Sequence, residues 1–356
     1  MTNRTVVYSS LKVLEFADRL QRDTGPLAAP VHVRIKPTNA CNQSCSFCAY
    51  RYDELQLGDQ MDVRDRIERE KMREIVEDLV AMGVRAVTFS GGGEPLIYRF
   101  LAETIRGLAA GGIAIGCLSN GAALEGDVAD ALAEHATWLR ISLDGWDAES
   151  YARSRSVQPR VFGRVCDNIA RFTARPTVCT VGVSFIVTQE NAAHIFDACS
   201  LVKTLGARHF KVTPCIVADD PAGNNRYHAP IAALVKEQIA QCAALASDRF
   251  EILDHYHQLP ELFERSYERC RMLQFLTVIG ADLGVYTCQD KAYTPGGLLG
   301  SIVDRRFRDL WFSPEMAAKI REFDPRTACL HHCVSHAKNV LLAEFEALDP
   351  SHAAFV

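Results

Sequence analysis

The sequence predicts an α/β fold built on a parallel sheet, and three observations carry the prediction. Between residue 31 and about residue 215, six short β-branched runs alternate with amphipathic helical stretches, the pattern of successive βα units. Gly, Pro or a cap-forming residue stands at the ends of those stretches, where the backbone must change direction. Beyond 215 the alternation stops and the elements shorten, which marks a second region. Six βα units fit either an open doubly wound sheet or an incomplete barrel. In both, chemistry belongs on the loops that follow the carboxyl ends of the strands.

The six strands are expected at 31–35 (VHVRI), 86–90 (AVTFS), 114–119 (AIGCLS), 138–144 (WLRISLD), 181–188 (VGVSFIVT) and 209–214 (HFKVTP). Helical periodicity places helices at 69–82, 98–110, 128–136, 161–174 and 193–205. A polar stretch at 217–228, VADDPAGNNRYH, reads as a loop, followed by one helix over 228–246 and a strand at 250–254. LTVIG at 276–280 and GVYTC at 284–288 read as a small hairpin. The expected division is an N-terminal extension (1–30), a first domain (31–257) and a second (258–356).

The chain of 356 residues is long enough for about two domains. With 48% hydrophobic and 23% charged residues it has the mix of an ordinary globular protein. A net charge of −5 gives no electrostatic reason to expect nucleic acid or an anionic membrane. No apolar stretch approaches the ~18 residues of a membrane span, and MTNRTVVYSS lacks a signal-peptide core. The expectation is a cytoplasmic protein without a nucleic-acid or membrane partner. Thirteen cysteines are unusual for a compartment that keeps thiols reduced, and point to metal or redox work if they are grouped.

The loop after the first strand, KPTNACNQSCSFCAYR, places Cys41, Cys45 and Cys48 at C-x3-C-x2-C spacing. Three thiolates within eight residues face one centre if the loop wraps around it. From spacing alone the readings are buried small residues, a zinc site with a fourth ligand from elsewhere, or an iron–sulfur cluster. Three ligands on a four-iron cluster leave one iron open.

This spacing, with Phe47 before the last cysteine, resembles the signature of the radical S-adenosylmethionine (radical SAM) superfamily. The resemblance continues at successive strand ends. Gly92-Gly93-Glu94 follows strand two like the family's GGE segment, which holds the SAM amino group. Strand three ends in Ser119 and Asn120, and strand four in Ser142-Leu143-Asp144, like the SLD segment near the SAM ribose or carboxylate. Arg155 stands where many relatives place an arginine on the SAM carboxylate; the glycine that usually follows is missing, and Arg153 lies nearby. The resemblance covers about residues 31–215. It implies a partial (β/α)6 barrel, a 4Fe–4S cluster on Cys41, Cys45 and Cys48, SAM as cofactor, and a flavodoxin- or ferredoxin-type reductant.

A second group, Cys270, Cys288, Cys329 and Cys333, is spaced C-x17-C-x40-C-x3-C, with Cys288 closing the expected hairpin. Chemistry alone allows four-thiolate zinc or a fully ligated 4Fe–4S cluster. The arrangement resembles the SPASM/twitch subgroup, and its shorter twitch form with one auxiliary cluster. It departs from that pattern in having three residues, not four, between Gly284 and Cys288. His331, His332 and His336 flank the closing pair and are expected as solvent-exposed or capping residues.

A fully ligated second cluster moves electrons rather than binding substrate. The resemblance therefore implies, first, oxidation of a C–OH in a sugar or aminocyclitol, with the auxiliary cluster accepting an electron. Epimerisation is an alternative, with Cys215 after the last barrel strand as hydrogen donor. Peptide maturation is another, disfavoured by the roughly thirty residues before strand one, too few for a separate recognition domain. A non-enzymatic iron–sulfur or zinc-binding module is the reading from a different class. Asp219, Asp220, Asn224, Asn225 and Arg226 are candidate contacts for substrate hydroxyls, and Asp254, His255, Tyr256 and His257 are further candidates of the same kind. The remaining cysteines, 117, 166, 179, 199 and 242, are expected to pack.

Overall fold

The computed structural model describes residues 8–20, 25–51, 55, 57–349, 351–352 and 355. Ten strands form one sheet: His32–Ile35 (β1), Ala86–Phe89 (β2), Ala114–Ser119 (β3), Ala136–Ser142 (β4), Thr180–Val187 (β5), His209–Pro214 (β6), Glu251–Asp254 (β7), Leu276–Ile279 (β8), Gly284–Tyr286 (β9) and Leu298–Ser301 (β10). Their order is β10-β9-β8-β1-β2-β3-β4-β5-β6-β7. The ladder from β8 through β1 to β7 is parallel throughout, and β9 and β10 continue it as antiparallel strands.

The connections through β7 carry Arg69–Ala81 (α1), Leu101–Ala110 (α2), Gly126–His135 (α3), Ala148–Arg155 (α4), Arg160–Ala174 (α5), Ile195–Thr204 (α6), Pro221–His228 (α7) and Ala232–Ala243 (α8). After β10 come Phe307–Trp311 (α9), Pro314–Glu322 (α10), Pro325–Ala328 (α11) and His336–Ala347 (α12). All six expected barrel strands and all five expected helices are present.

Strand alternation decides what each face does. Val33, Ile35, Val87, Phe89, Leu139, Ile141, Phe210 and Val212 are wholly buried in one core with Ile75 and Leu79 of α1 and Ile105 and Leu108 of α2. The alternate positions His32, Arg34, Arg140, Ser142, Lys211 and Thr213 carry polar or charged side chains to the other face. That face is concave. In a flat sheet β1 and β6 would stand about 24 Å apart, five inter-strand spacings, yet Arg34 is close enough to Lys211 to depress its ammonium. The sheet curls into a partial barrel with a polar interior.

Two readings of the chain change. Residues 221–228 are helix α7, not loop. Asp220 caps it by accepting from Gly223 N at 2.7 Å, and Pro221 supplies a preset first-turn φ. Asn224, fully buried, accepts from Val217 N (3.0 Å) and donates to Ala218 O (2.7 Å). The polar letters that suggested a loop are caps and internal bonds. The hairpin of β8 and β9 forms as expected, but β8 also zips in parallel onto β1, His32 against Leu276 and Ile35 against Ile279.

Outside the sheet, the later segment is fastened to the first helix. Arg306 Nε donates to the buried Asp78 carboxylate of α1 at 2.8 Å, and Trp311 Nε1 donates to Ala28 O at 2.8 Å.

Candidate functional site

The loop bearing Cys41, Cys45 and Cys48 crosses the carboxyl ends of the strands and is fastened at both flanks. On one side Glu94 N donates to Ala40 O at 2.9 Å, and Asn120 Nδ2 donates to Asn42 Oδ1 at 2.7 Å. On the other, Ser44 N and Ser46 N donate to Arg155 O (3.0 Å) and Ser154 O (2.9 Å) on α4. The three thiols are free and partly exposed. Burial raises Cys41 and pushes Cys45 up to about 11; Cys48 adds to both shifts, and Cys41 adds to that of Cys45.

The tight turn after β2 explains its glycines. A Cβ on Gly93 would lie 1.9 Å from Ala40 O, and one on Gly92 would meet Met61 Sδ at 2.2 Å. Only bare backbone fits against the cysteine loop here. Glu94 follows, buried, and its carboxylate accepts from Leu96 N (3.0 Å), Ser119 Oγ (2.7 Å) and Asn120 N (2.7 Å). Burial raises its carboxyl, and these bonds pull it back. Glu94 thus ties the end of β2 to the end of β3. Ser142 and Ser184 share a hydrogen bond at 3.3 Å across β4 and β5.

Arg155 is placed differently from the expectation. Its guanidinium is buried, paired with Asp144 and donating to Gln43 Oε1 at 2.9 Å, with its carbon 5.5 Å from the Phe47 ring centre. It holds the cysteine loop, whereas Arg153 lines the neighbouring cavity of 200 Å³ together with Phe47, Asp144, Trp146 and Cys215. The Trp146 ring is stacked on His194 at 3.8 Å. Cys215 is buried, and its thiol is pushed up to about 12 by burial and then by Asp144. This cavity meets a larger open one of 730 Å³ at Val217 and Tyr227, where Asp219, Asp220 and Arg226 contribute. Of the expected hydroxyl-binding residues, Asn224 is withdrawn into the fold and Asp220 caps α7. Asp254 is bonded to His257 at 2.5 Å.

Residues 35–202 match the Radical SAM superfamily. The chain carries a radical SAM domain. Its curated relatives include the GTP 3′,8-cyclase of Chlorobaculum tepidum, 32% identical over 171 residues, which are 48% of this chain and 47% of that protein. They also include the S-adenosylmethionine-dependent nucleotide dehydratase of Lacinutrix mariniflava, 26% identical over 110 residues, 31% of this chain and 22% of the other. The chain spans less than half the length of these relatives. Among solved structures, Streptococcus suis SuiB bound to S-adenosylmethionine superposes with a TM-score of 0.64 at 16% identity, covering 87% of this chain and 71% of that one. Native anSMEcpe with bound AdoMet gives 0.55 at 15% identity, covering 85% and 89%. These likenesses show the radical SAM fold, and the family implies an enzyme that uses SAM and one 4Fe–4S cluster.

Beyond the radical SAM domain, the second cysteine group gathers where β9 ends. Burial pushes the Cys288 thiol well up, and Asp290, Cys329, Cys333 and Cys270 are near enough to push it further. Cys270 is raised to about 12 and Cys329 to about 11, both by burial first. Among the described residues, no three His, Cys, Asp or Glu side chains converge closely enough to hold a single metal ion. The histidines are not exposed as expected: His331, His332 and His336 are 2%, 8% and 8% accessible. Each keeps one buried ring nitrogen without a partner, as do Thr287 Oγ1, Gln289 Oε1 and Arg265 Nε. Six of the eight such atoms among the described residues therefore surround this group.

The sequence reading missed the cations of the barrel interior. Lys36, 1% accessible, donates to the Tyr50 hydroxyl and lies 4.2 Å from that ring's centre. Burial, then Arg34, pushes it down to about 7. The available signal was a charged residue at alternate positions of VHVRIK, WLRIS and HFKV.

Proposed function

We propose that this radical SAM enzyme oxidises a C–OH carbon of a small molecule, a sugar or aminocyclitol, and that its second cysteine group holds a 4Fe–4S cluster which takes up an electron. The observation that supports the second cluster is the set of orphaned polar atoms around four partly buried free thiols. Buried donors without partners cost roughly 1–3 kcal/mol each, and cluster sulfides would accept from Arg265 Nε, Thr287 Oγ1 and the protonated ring nitrogens of the histidines, though not from the Gln289 amide oxygen.

Cys41, Cys45 and Cys48 would hold the first cluster, and Cys270, Cys288, Cys329 and Cys333 the second. SAM would lie over the strand ends among Phe47, Gly92, Gly93, Ser119, Asn120, Ser142 and Asp144. Arg153, which lines the cavity, is better placed than Arg155 to meet its carboxylate. When bound, these groups supply a 5′-deoxyadenosyl radical at the first site and an electron acceptor at the second. The chain's part is positional: Arg155 and Glu94 fix the cysteine loop and strand ends, beside the cavity bordered by Trp146 and Cys215.

Anaerobic purification tests the reading. Two clusters predict roughly eight irons per chain, 5′-deoxyadenosine on reduction, and a ketone from a panel of sugars and aminocyclitols. About four irons, or 5′-deoxyadenosine with no oxidised product across the panel, would count against it. Epimerisation is the second reading, favoured by one observation: the protonated Cys215 thiol borders the same cavity as Phe47 and Asp144. Cys215→Ala would leave a dehydrogenase active and stall an epimerase.

A further inference from the structure

The concave face of the sheet carries three cations on successive rungs of the ladder, Arg34 in register with Trp138, Arg140 with His209, and Lys211 with Ser142. Arg34 lies on β1, Arg140 on β4 and Lys211 on β6. Each is flanked along its strand by residues wholly buried on the opposite face: Val33 and Ile35, Leu139 and Ile141, Phe210 and Val212. Alternation therefore sends all three side chains into the interior, where each is only partly covered. None of them has a carboxylate within 4.0 Å among the described residues. Asp290 and Cys288, the latter a ligand of the proposed second cluster, both support the charge on Arg34, and Asp290 stands 3.5 Å from His332 Nε2. Lys338 of α12 adds a fourth positive charge near Arg34 and Lys211.

Arg140 is positioned rather than loose. Its Nη1 donates to the Tyr8 hydroxyl at 3.3 Å, which is also bonded to His209 Nε2 at 3.2 Å. Its guanidinium carbon lies 5.7 Å from the Trp138 ring centre. That ring in turn lies over Gly116, where a Cβ would come within 2.3 Å of it. Tyr8 and Trp138 thus hold the guanidinium, with His209 bonded to Tyr8 behind it. Unpaired cations gathered in a partly desolvated space are costly unless an anion enters.

We infer that the interior of the partial barrel binds a phosphoryl group of the substrate, with Arg34, Arg140 and Lys211 as its ligands. This inference rests on the reading of the strand ends as the site where the substrate reacts. Three positive charges call for an anion carrying two or more negative charges. A phosphomonoester or diphosphate meets that requirement and a monocarboxylate does not. Guanidinium forks match phosphoryl oxygens in pairs. Arg140 sits two residues, about 7 Å, below Ser142 at the strand's carboxyl end, so a phosphoryl group held there leaves the adjoining sugar at the mouth. The substrate is then a phosphorylated sugar or a sugar joined to a diphosphate, not a neutral aminocyclitol.

The test is calorimetric titration of the anaerobically purified holoprotein, with SAM present, using inorganic pyrophosphate as probe and tricarballylate as the carboxylate control. Pyrophosphate is expected to bind, to bind more weakly as salt is raised, and to lose about tenfold or more in affinity in Arg140→Gln and in Lys211→Gln. Iron content and visible absorbance report whether each variant is folded, and the titration of the unaltered protein decides the matter if neither is. No binding of pyrophosphate, undiminished binding in both folded variants, or tricarballylate binding as tightly would overturn the inference. Formation of 5′-deoxyadenosine and of ketone is scored separately. Oxidation of a neutral sugar without pyrophosphate binding sinks the phosphoryl site alone. Pyrophosphate binding without any oxidised product sinks the oxidation alone.

Discussion

Arg155, on the last turn of α4, forms an ion pair with Asp144, just beyond the end of β4, and both side chains are almost wholly excluded from solvent. The second oxygen of Asp144 accepts from Ile186 N at 2.6 Å, and the other arm of Arg155 reaches Gln43 inside the cysteine loop. One ion pair therefore joins β4, β5, α4 and the loop. Asp144 is raised by burial even though Arg155 pulls it down, so removing Arg155 leaves a carboxyl with little to compensate it. Arg155→Met is expected to cost about 3–5 kcal/mol in urea unfolding and to lower the iron retained after reconstitution. An unchanged midpoint would show that the pair does not brace the loop.

His209 gives a pH dependence of definite sign. Burial, then Arg140 and Lys211, holds its ring down to about 4 against an ordinary 6.5. Between those values the unfolded chain binds a proton that the folded chain refuses, so stability falls as pH falls from 6.5 toward 4. Its share amounts to roughly 2 kcal/mol between neutrality and pH 5. His209→Gln should flatten the curve of unfolding free energy against pH by about that amount in that window. A curve of unchanged slope would mean that the ring is protonated inside the fold.

How much of this was legible follows residue by residue. The six barrel strands and the first cysteine loop are local patterns, set by alternation and by spacing within a few residues. Helix α7 was misread because Asp220 and Asn224 look like loop residues until their bonds to Gly223 N and Val217 N are seen. The burial of His331, His332 and His336 depends on packing between segments far apart in the chain, which periodicity does not report. Alternation did place Arg34, Arg140 and Lys211 on one face. That this face curls into an interior is a property of the whole sheet, and β8 lying on β1 joins residues some 240 positions apart.

Two glycines separate close packing from mere helix content. Gly93→Ala drives a Cβ to 1.9 Å from the backbone oxygen of Ala40, and a backbone atom has no rotamer by which to retreat. The cysteine loop must shift, at about 1–3 kcal/mol of strain, and the expected readout is loss of iron and of SAM cleavage. Gly107→Ala, inside α2 with Val76 Cγ1 at 3.5 Å, should instead stabilise the fold by about 0.5–1 kcal/mol. Equal effects of the two substitutions on iron content would contradict the packing argument.

The two cysteine groups should separate in function when each is broken alone. Cys45 lies on the loop clamped between the strand ends and α4, and Cys288 follows β9 beside the unpartnered side-chain oxygens of Thr287 and Gln289. Cys45→Ala is expected to abolish reductive SAM cleavage. Cys288→Ala should lower iron from roughly eight to roughly four per chain, leave the first cluster's spectrum in place and still yield 5′-deoxyadenosine, while ketone formation is lost for want of an electron acceptor. Cys288→Ala also exposes the buried neighbours to an unfilled space, so a moderate fall in thermal stability should accompany it. Ketone formation at the original rate in Cys288→Ala would show that the second group is structural and that the electron leaves by another route.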